Sequence, residues 1–433
     1  MKRKLSFKLT TILIAFLFPI AIFAQGWSPV GGGLDGTVNA LGVYNGSLYA
    51  GGDFNGYLAK LDGSEWQIVG NGLNGPVSSM VAYNGKLYVS GDFTAPSELV
   101  AAWDGSQWEA LDWGIDLKII EMKVFNGELY FVGDFNTVNG MNVTGIARFD
   151  GTNLKTVGEQ FFYGPIFTLD EFGGNLWVGG SFPQVGSVET LNLAYWDGSS
   201  WSAVQKGSYG PVYCIAGRDF ANELYFGGAF TACYGISANN IAGLNPQSDN
   251  LFALGSGLVG DPGSSHARSV IWSNSKMYVG GQFEIAGGNL SRGFAIYENG
   301  SWKDTGSDLN GDVTDLIFFN NYIYAGGSFT TPVQGIGKWS EPAGIDEPEE
   351  LQALNIRPNP ANDKVVVDLT GFGRNESLEA IVIGTDGKTV GRYENLKEGE
   401  ISMDVSQLTP GVYVVKVCNE RGEFTSGRLM ISR

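Results

Sequence analysis

Short runs of alternating apolar and polar residues, separated by glycine-containing turns, make up most of the chain. Residues 77–83 form one such run, and Asn84-Gly85 separates it from the next run at 86–91. Alternation with a period of two is typical of half-buried β-strands, and Asn-Gly between two runs is a strong signal for a two-residue hairpin turn. The pattern therefore predicts a series of antiparallel hairpins and an all-β fold.

One phrase, Leu-Tyr-x-Gly-Gly-x-Phe or a close variant, occurs seven times. Its closing phenylalanines lie 39, 42, 47, 48, 53 and 46 residues apart. This period matches the roughly 40–50 residues of a four-stranded β-propeller blade. The positions of the closing residue are Phe54, Phe93, Phe135, Phe182, Phe230, Phe283 and Phe329.

Each repeat divides into four strands. The Asn-Gly turn joins the first strand to the glycine-pair strand, and Asp104-Gly105 joins a third strand to a fourth that opens at Trp108. We expect the glycine pair to permit a bulge or a close backbone approach, and the tryptophan to fill the space between blades. The 64 glycines and the 17% share of charged residues agree with many short strands and tight turns.

The repeats begin and end out of phase. The chain opens with a fourth strand alone at residues 27–34, and the last repeat stops after its third strand at 335–339. This offset predicts that the N-terminal strand completes the last blade and closes a seven-bladed β-propeller over residues 25–340. An open solenoid of β-repeats is the alternative, but it requires capping units, which the sequence lacks.

The glycine pair and the tryptophan that opens the fourth strand resemble kelch-type propeller repeats. The Trp-Asp-Gly-Ser-x-Trp wording at 103–108 and 196–201 resembles repeats of secreted bacterial propellers. The resemblance covers about residues 26–340. It implies a fold and leaves the function open, because propellers support many functions.

The N-terminus has the composition of a secretory signal peptide. Lys2, Arg3, Lys4 and Lys8 precede an apolar run at 11–23, and the small residue Ala24 offers a cleavage site, which predicts a signal peptide over residues 1–24. A retained membrane anchor is the alternative, but the run is shorter than the roughly 20 residues of a membrane span. Cleavage removes four basic residues and no acidic ones, so the net charge falls from −18 to −22. An acidic surface repels nucleic acid.

A different pattern follows the last repeat. Residues 341–354 are rich in proline and acidic residues and predict a linker, and strand-like alternation returns at 355–433 without the repeated phrase. The tail resembles the type A C-terminal sorting domain of the type IX secretion system of Bacteroidota. The resemblance implies a small β-sandwich recognised by the secretion machinery at the outer membrane, with a secreted or cell-surface product. An unrelated immunoglobulin-like sandwich is the alternative. The motif residues are Pro358, Asn359, Pro360, Gly387, Gly411 and Tyr413.

Two further expectations concern the Pro358-Asn359-Pro360 segment and the cysteines. We expect the segment to be a rigid, extended lead-in to the first strand of the tail. Cys214 and Cys233 either pair within one blade or are buried free thiols.

The sequence offers little catalytic chemistry. His266 is the sole histidine, which excludes zinc and copper sites built on several imidazoles, and no Gly-x-Ser-x-Gly elbow accompanies it. Gly-x-Gly-x-x-Gly at 31–36, 70–75 and 255–260 lies between strands, not between a strand and a helix, so it does not indicate a dinucleotide site. Asp-Gly-Ser-x-Trp resembles the Asp-box of sialidase propellers, which is itself a structural turn. We predict no enzyme, no cofactor and no metal site.

Longer loops in the third to sixth repeats fall on one side of the expected propeller. Their aromatic and basic residues suit a sugar or a protein ligand, because both present flat apolar surfaces edged by hydrogen-bonding groups. We therefore predict a non-enzymatic binding module, with a structural or adhesive surface protein and an unrecognised glycan-active enzyme as alternatives. The candidate ligand residues are Trp113, Phe162, Tyr163, Tyr209, Tyr234, His266, Arg268 and Arg292.

Overall fold

The computed structural model describes residues 26–340, except 71, 159–161, 219–220 and 274, and residues 354–432, except 370–377, 384–388, 397–398 and 420–423. The predicted signal peptide and nearly all of the predicted linker lie outside these residues. The described residues form strands and turns without an α-helix, which confirms the all-β class. Among them, no helix has the length and apolar character needed to cross a membrane.

Seven four-stranded antiparallel sheets lie between Gly26 and Ser340, and we number them 1 to 7 along the chain. The first strands are β2 (Thr37–Tyr44), β6 (Val77–Tyr83), β10 (Ile119–Phe125), β16 (Ile166–Phe172), β22 (Val212–Arg218), β29 (His266–Ser273) and β35 (Val313–Phe319). The second strands, which carry the repeated phrase, are β3 (Ser47–Asp53), β7 (Lys86–Gly91), β11 (Glu128–Gly133), β17 (Asn175–Gly180), β23 (Glu223–Gly228), β30 (Lys276–Gln282) and β36 (Tyr322–Gly327).

In each sheet the third strand pairs with the second and the fourth strand pairs with the third. The third strands are β4 (Leu58–Asp62), β8 (Val100–Trp103), β14 (Ile146–Phe149), β20 (Leu193–Trp196), β26 (Ile241–Asn245), β33 (Phe294–Glu298) and β37 (Ile336–Ser340). The fourth strands are β5 (Glu65–Ile68), β9 (Trp108–Ala110), β15 (Leu154–Thr156), β21 (Trp201–Ala203), β27 (Asn250–Ala253), β34 (Ser301–Trp302) and, in sheet 7, β1 (Gly26–Pro29).

Small hairpins connect the second and third strands of sheets 3 to 6. A further two-residue strand pairs with the hairpin of sheet 6. The bounds of these strands are β12 (Thr137–Val138), β13 (Met141–Asn142), β18 (Gln184–Val185), β19 (Val188–Glu189), β24 (Ala232–Cys233), β25 (Ile236–Ser237), β28 (Leu258–Val259), β31 (Ile285–Ala286) and β32 (Asn289–Leu290).

The turn between first and second strands has the conformation that the sequence predicts. In sheet 1, Asn45 and Gly46 have φ values of 48° and 72°, and in sheet 2, Asn84 and Gly85 have 47° and 76°. Positive φ at both central residues defines the turn whose twist matches that of the flanking strands. The predicted hairpins are confirmed.

The glycine pair lies opposite a bulge in the first strand. In sheet 1, the register shifts between Val38 and Ala40, which pair with Gly52 and Gly51. A Cβ atom on Gly52 would lie 2.0 Å from the carbonyl oxygen of Thr37. Only glycine allows the two backbones to come this close, and this explains why the second glycine of the phrase occurs in all seven repeats.

The tryptophan that opens a fourth strand ties its sheet to the connection before it. The indole N–H of Trp66 donates to the carbonyl oxygen of Val30 at 2.9 Å, and Trp201 and Trp302 donate equivalently to the connections that enter their own sheets. The rings pack between neighbouring sheets, where each apolar core is shared. The predicted role as a wedge between repeats is confirmed.

The N-terminal strand completes sheet 7. β1 pairs with β37 in the register Trp27 to Trp339, which confirms the predicted pairing, although the paired strand ends at Pro29. Trp27 donates to Ser307 Oγ at 3.0 Å, in the connection that enters sheet 7, as Trp66, Trp201 and Trp302 do for their sheets. The first strand of each sheet contacts the first strand of the next, and β35 contacts β2.

Residues 354–432 form two further sheets. β38 (Asn355–Arg357), β39 (Lys364–Asp368) and β42 (Glu400–Asp404) form one of them. The other contains β40 (Leu378–Ile383), β41 (Thr389–Leu396), β43 (Gly411–Asn419) and β44 (Phe424–Ile431). Buried side chains of both sheets, such as Val365 and Val415, share one apolar core, as a small sandwich requires.

Candidate functional site

The long connections of sheets 3 to 6 lie on one side of their sheets. In an antiparallel order, the connection from second to third strand and the connection from fourth strand to the next sheet leave from the same end. The structure pairs them directly, through the bridges Phe162 to Val185 and Ser208 to Cys233 and through β28 with β31. We call this the loop side.

Three of the predicted ligand residues are exposed tyrosines on the loop side. Tyr163 is 61% exposed, Tyr209 is 62% exposed and Tyr234 is 52% exposed. The backbone N–H groups of Tyr163 and Tyr209 donate to the hairpins of sheets 4 and 5, at Gln184 and Ala232, so these two tyrosines occupy equivalent places. Their side chains are available to a ligand.

The expected exposure of Trp113 and Phe162 is wrong. Trp113 is buried, and its ring centroid lies 5.1 Å from that of Phe149 and 6.2 Å from that of Tyr88. Phe162 is buried, and its ring centroid lies 4.9 Å from that of Trp201 in an edge-to-face arrangement. Both side chains fold under their connections because the space between neighbouring sheets removes them from water, and they cannot contact a ligand at the surface.

His266 is held between two hydrogen-bond acceptors. Nδ1 lies 2.9 Å from the carbonyl oxygen of Ser264, and Nε2 lies 3.2 Å from Oδ2 of Asp312. Since a carbonyl and a carboxylate only accept, both ring nitrogens donate, which is the arrangement of the protonated imidazole. Burial lowers the pKa of His266, but the hydrogen bond and charge of Asp312 raise it above its ordinary value.

Arg268 stacks on an aromatic pair near His266. Its guanidinium carbon lies 5.6 Å from the ring centroid of Tyr213, which lies 5.4 Å from the ring of Phe167 and 5.9 Å from the ring of His266. Phe167, Tyr213 and Arg268 are each the residue at which the register of their first strand shifts. We call these three residues, with His266 and Asp312, the strand-start cluster.

Sequence reasoning found two members of the strand-start cluster and missed Phe167, Tyr213 and Asp312. A partial signal existed, because Phe167 and Arg268 both lie 13 residues before the second glycine of their phrase, whereas Tyr213 lies 15 residues before it and joins their column only in the strand register. Column alignment of a repeat therefore finds residues that single motifs do not reveal.

Arg292 lies in the second-to-third connection of sheet 6. Its backbone N–H donates to the carbonyl oxygen of Ser307 at 2.8 Å, and its Nε lies 3.9 Å from Oε1 of Glu284. The side chain of Arg292 is about half exposed. An exposed ion pair of this length stabilises little, so the guanidinium can exchange Glu284 for a ligand.

The aspartates of the sialidase-like wording cap turns. Oδ1 of Asp197 accepts the backbone N–H groups of Ser199 and Ser200, both at 2.7 Å. These bonds hold the pKa of Asp197 well below its usual range. Asp104 caps its turn in the same way. The Asp-Gly-Ser-x-Trp segments therefore form structural turns in this protein.

Cys214 and Cys233 are not paired with each other. Both side chains are buried, and burial raises the pKa of Cys233 to about 12. They belong to the apolar packing, which agrees with the expectation of buried free thiols. Within the described residues, no group of three histidine, cysteine or acidic side chains lies close enough to hold a metal ion.

The sorting-motif residues anchor the tail domain. Oδ1 of Asn359 accepts the backbone N–H of Met430 at 2.8 Å, and the hydroxyl of Tyr413 donates to the carbonyl oxygen of Thr409 at 2.8 Å. Gly411 begins β43. Gly387 lies outside the described residues.

Pro358 and Pro360 correct one expectation. They follow the short strand β38, so they connect the first two strands of the tail and do not lead into the first. Strand β38 escaped detection because three residues are too few to show a period.

Residues 355–432 match the family model described as "Secretion system C-terminal sorting domain". The match confirms that the chain carries the sorting domain of type IX secretion in Bacteroidota, and that it is exported to the cell surface or released. No curated protein matches the chain. A solved structure of PorZ, described as an essential bacterial surface component of the type-IX secretion system of Porphyromonas gingivalis, is similar with 14% identity and a TM-score of 0.42. The alignment covers 92% of this chain and 60% of that one.

Proposed function

We propose that the chain is an exported, non-enzymatic binding module, a seven-bladed β-propeller closed by its N-terminal strand and carried to the surface by its sorting domain. Closure is supported by the bonds between sheets 7 and 1. Oδ2 of Asp315 accepts the N–H of Leu41 at 2.7 Å, and the hydroxyl of Thr314 donates to the carbonyl oxygen of Val38. Ser79 and Ser269 make the corresponding bonds between other neighbouring sheets, so the seam between 7 and 1 resembles the rest.

The kelch-type resemblance is part of this proposal. The recurring glycine pair, the bulge opposite it and the tryptophan of the fourth strand support it. The proposal concerns architecture, because the same repeats occur with many different ligands.

Carbohydrate is the ligand class that the loop side supports best. The observation that supports a carbohydrate ligand most directly is the exposure of Tyr163, Tyr209 and Tyr234 on one side of neighbouring sheets. An exposed tyrosine offers an apolar face for the C–H groups of a sugar and a hydroxyl for its edge. Arg292 and Arg268 add donors on the same side.

A protein ligand is the second candidate, and a separate observation favours it. Leu117, Val188 and Leu290 are also exposed on the loop side, at 46%, 50% and 57%. Aliphatic side chains contribute little to a sugar complex but bury well against another protein.

The absence of catalysis is supported by the state of His266. Both its ring nitrogens are engaged by protein acceptors, the carbonyl oxygen of Ser264 and the carboxylate of Asp312, so neither nitrogen is free to hydrogen-bond a hydroxyl or water nucleophile. Arg268 beside it binds charge and does not transfer protons.

A glycan array with the full chain tests the proposal. We expect binding by the wild type, and a reduction of at least about tenfold, or 1.4 kcal/mol, when Tyr163 and Tyr209 are both changed to alanine. Tyr322→Ala is the matched control, because Tyr322 is exposed at the hairpin end of sheet 7, away from the loop side. The carbohydrate assignment is contradicted if only the control loses binding, or if the wild type gives no glycan signal. The second candidate is favoured if the wild type captures a protein partner and Leu290→Ser abolishes this capture.

A further inference from the structure

A cleft of about 300 Å³ lies between sheets 4 and 5. Trp177 and Tyr195 of sheet 4 and Leu244 of sheet 5 line it, together with Tyr234 at the hairpin turn on the loop side. The volume lies at the lower limit of ordinary ligand sites, so the cleft suits one small ring and not a broad polymer.

The groove between sheets 2 and 3 is filled where this one is open, while a second cleft of about 290 Å³ lies between sheets 6 and 7. Between sheets 2 and 3, Trp113 and Phe149 pack on Tyr88. In sheet 5, Leu244 stands opposite the leucine of the repeated phrase, where sheet 3 has Phe149. A phenylalanine and a leucine differ by most of an aromatic ring, and this difference contributes to the cleft.

A second substitution within the repeats enlarges the same space. The carbonyl oxygen of Trp113 accepts the N–H of Asn139 at 2.9 Å, and that of Gly207 accepts the N–H of Tyr234 at 3.0 Å. The N–H of Asn139 also donates to the carbonyl oxygen of Gly114 at 3.2 Å, and Gly114 and Gly207 both lie five residues before the ladder of the next first strand, so Lys206-Gly207 occupies the place of Trp113-Gly114. The indole that fills the groove between sheets 2 and 3 therefore has no counterpart between sheets 4 and 5.

The base of the cleft carries a donor that the fold does not satisfy. Trp177 stands where the other six phrases have tyrosine, and its ring lies 4.9 Å from Tyr195 at 31°. Its Nε1 is buried and has no hydrogen-bond partner among the described residues. Because Nε1 has almost no exposed surface, a ligand hydroxyl reaches it only if the indole shifts, and such a shift would relieve the cost of a buried donor without an acceptor.

The charges that line the cleft cancel. Nζ of Lys206 lies 2.7 Å from Oδ2 of Asp249 and donates to the backbone carbonyl of Asp249 at 2.6 Å. Gln205 adds an exposed amide at the rim. A charged ligand would find no uncompensated partner here, whereas a neutral ligand with several hydroxyls would find donors and acceptors on two sides.

We infer that the cleft between sheets 4 and 5 binds a neutral sugar ring. The ring lies between Tyr195 and Tyr234, one hydroxyl accepts the indole N–H of Trp177, and Gln205 and the Lys206–Asp249 pair bind the hydroxyls at the open end. The inference rests on the proposed glycan-binding function and assigns it a subsite.

Ligand-observed saturation-transfer NMR on the full chain tests the inference, with methyl glycosides of neutral hexoses as probes and the methyl glycoside of glucuronic acid for comparison. Leu244→Phe restores the residue of sheet 3 and fills the cleft, and Trp177→Tyr restores the residue of the other phrases and removes the indole donor. We expect Leu244→Phe to weaken binding by at least about tenfold and Trp177→Tyr by about three- to tenfold, both with an unchanged thermal midpoint. Tyr163→Ala, outside the cleft, controls for the exposed tyrosines of the loop side.

The outcomes separate this inference from the proposed function. Glycan binding that survives Leu244→Phe and Trp177→Tyr overturns the subsite and leaves the binding module standing. Equal or tighter binding of the glucuronide overturns the neutral class. The subsite is also overturned if no neutral glycoside gives an NMR response while the array shows binding to longer glycans. If neither the NMR experiment nor the array shows binding, the carbohydrate proposal itself is overturned. If Leu244→Phe lowers the thermal midpoint, its loss of binding could reflect unfolding, and the Trp177→Tyr variant alone then tests the subsite.

Discussion

The replacement of Trp27 by alanine tests whether the seven sheets act as one closed unit. Its ring centroid lies 4.9 Å from that of Phe294 at 71° and 5.2 Å from that of Trp339 at 63°, and its indole donates to Ser307. Trp27→Ala removes these contacts but leaves the backbone pairing of β1 with β37 in place. The change thus weakens the closing strand without deleting it.

The expected loss follows from the burial of Trp27. Replacing a buried tryptophan by alanine costs about 3–5 kcal/mol, of which the hydrogen bond contributes about 1 kcal/mol. Trp27 is only partly buried, so we expect about 3 kcal/mol. Trp201→Ala is the matched variant, because Trp201 is also partly buried, donates to Val157 at 2.7 Å and packs on Phe162 at 4.9 Å.

Closed and open arrangements respond differently to the two variants. In a closed propeller every sheet has two neighbours, so both variants should lower the midpoint of guanidinium unfolding by similar amounts. In an open array, Trp27 lies at the end of the chain, and its loss frays one sheet while the rest unfolds as before. Far-UV circular dichroism measures the midpoint, and hydrogen exchange of the peptide that contains Leu41 reports the seam with Asp315.

We expect faster exchange at Leu41 in Trp27→Ala than in Trp201→Ala, with equal losses at the unfolding midpoint. The reasoning is refuted if Trp201→Ala lowers the midpoint while Trp27→Ala leaves it unchanged. It is refuted equally if exchange at Leu41 is as fast in the wild type as in unstructured peptides.

Three further predictions follow from the geometry of single residues. Gly180→Ala should cost about 3 kcal/mol in thermal unfolding, because its Cβ would lie 2.2 Å from the backbone oxygen of Pro165, whereas Gly179→Ala should cost about 1 kcal/mol because it meets only the side chains of Val212 and Thr168; equal costs would contradict this. The pKa of His266 is raised above its ordinary value in the folded state, so its contribution to stability is complete below about pH 6.5 and is lost as the pH rises through the raised pKa. Urea unfolding between pH 5 and 8 should show this decline in the wild type and not in Asp312→Asn. In a Cys418→Ser background, a thiol reagent should label Cys214 and Cys233 only at the rate of unfolding, since burial raises the pKa of both; rapid labelling of the folded protein would show that they are accessible.

Much of the region of seven sheets is predictable because its signals are local and repeated. The Asn45-Gly46 turn needs two residues with positive φ, and the second glycine of the phrase is fixed by the carbonyl oxygen of Thr37. A constraint that acts within ten residues and recurs seven times is visible in one sequence. That the N-terminal strand lies beside residues 335–339 followed from the phase of the repeats alone.

The connections were less predictable because packing decides their side chains. Trp113 and Phe162 lie in segments without a period, where exposure was the natural expectation. Each has a place between two sheets, and burial of an aromatic side chain in such a place outweighs the polar character of its neighbours. The two-residue strands of the small hairpins, such as β18, are too short to leave a periodic signal.

The strand-start cluster was only half predicted for a different reason. Phe167, Tyr213, Arg268 and Asp312 come from four successive sheets, and each is separated from the next by the length of a whole repeat. Motif searches examine neighbours in the chain, whereas a repeat fold places equivalent positions side by side. The relevant comparison is therefore between copies of the repeat.

That comparison also indicates where ligand specificity resides. Positions that every copy shares, such as Gly52 and its equivalents, are held by backbone distance and leave no freedom for function. Trp177 departs from the tyrosine that the other six copies carry, and Leu244 departs from the phenylalanine of sheet 3. Both line one cleft, where the indole donor of Trp177 has no partner among the described residues. Restoring the repeat at Trp177 and Leu244 should then leave stability unchanged or improved, and only binding should be lost.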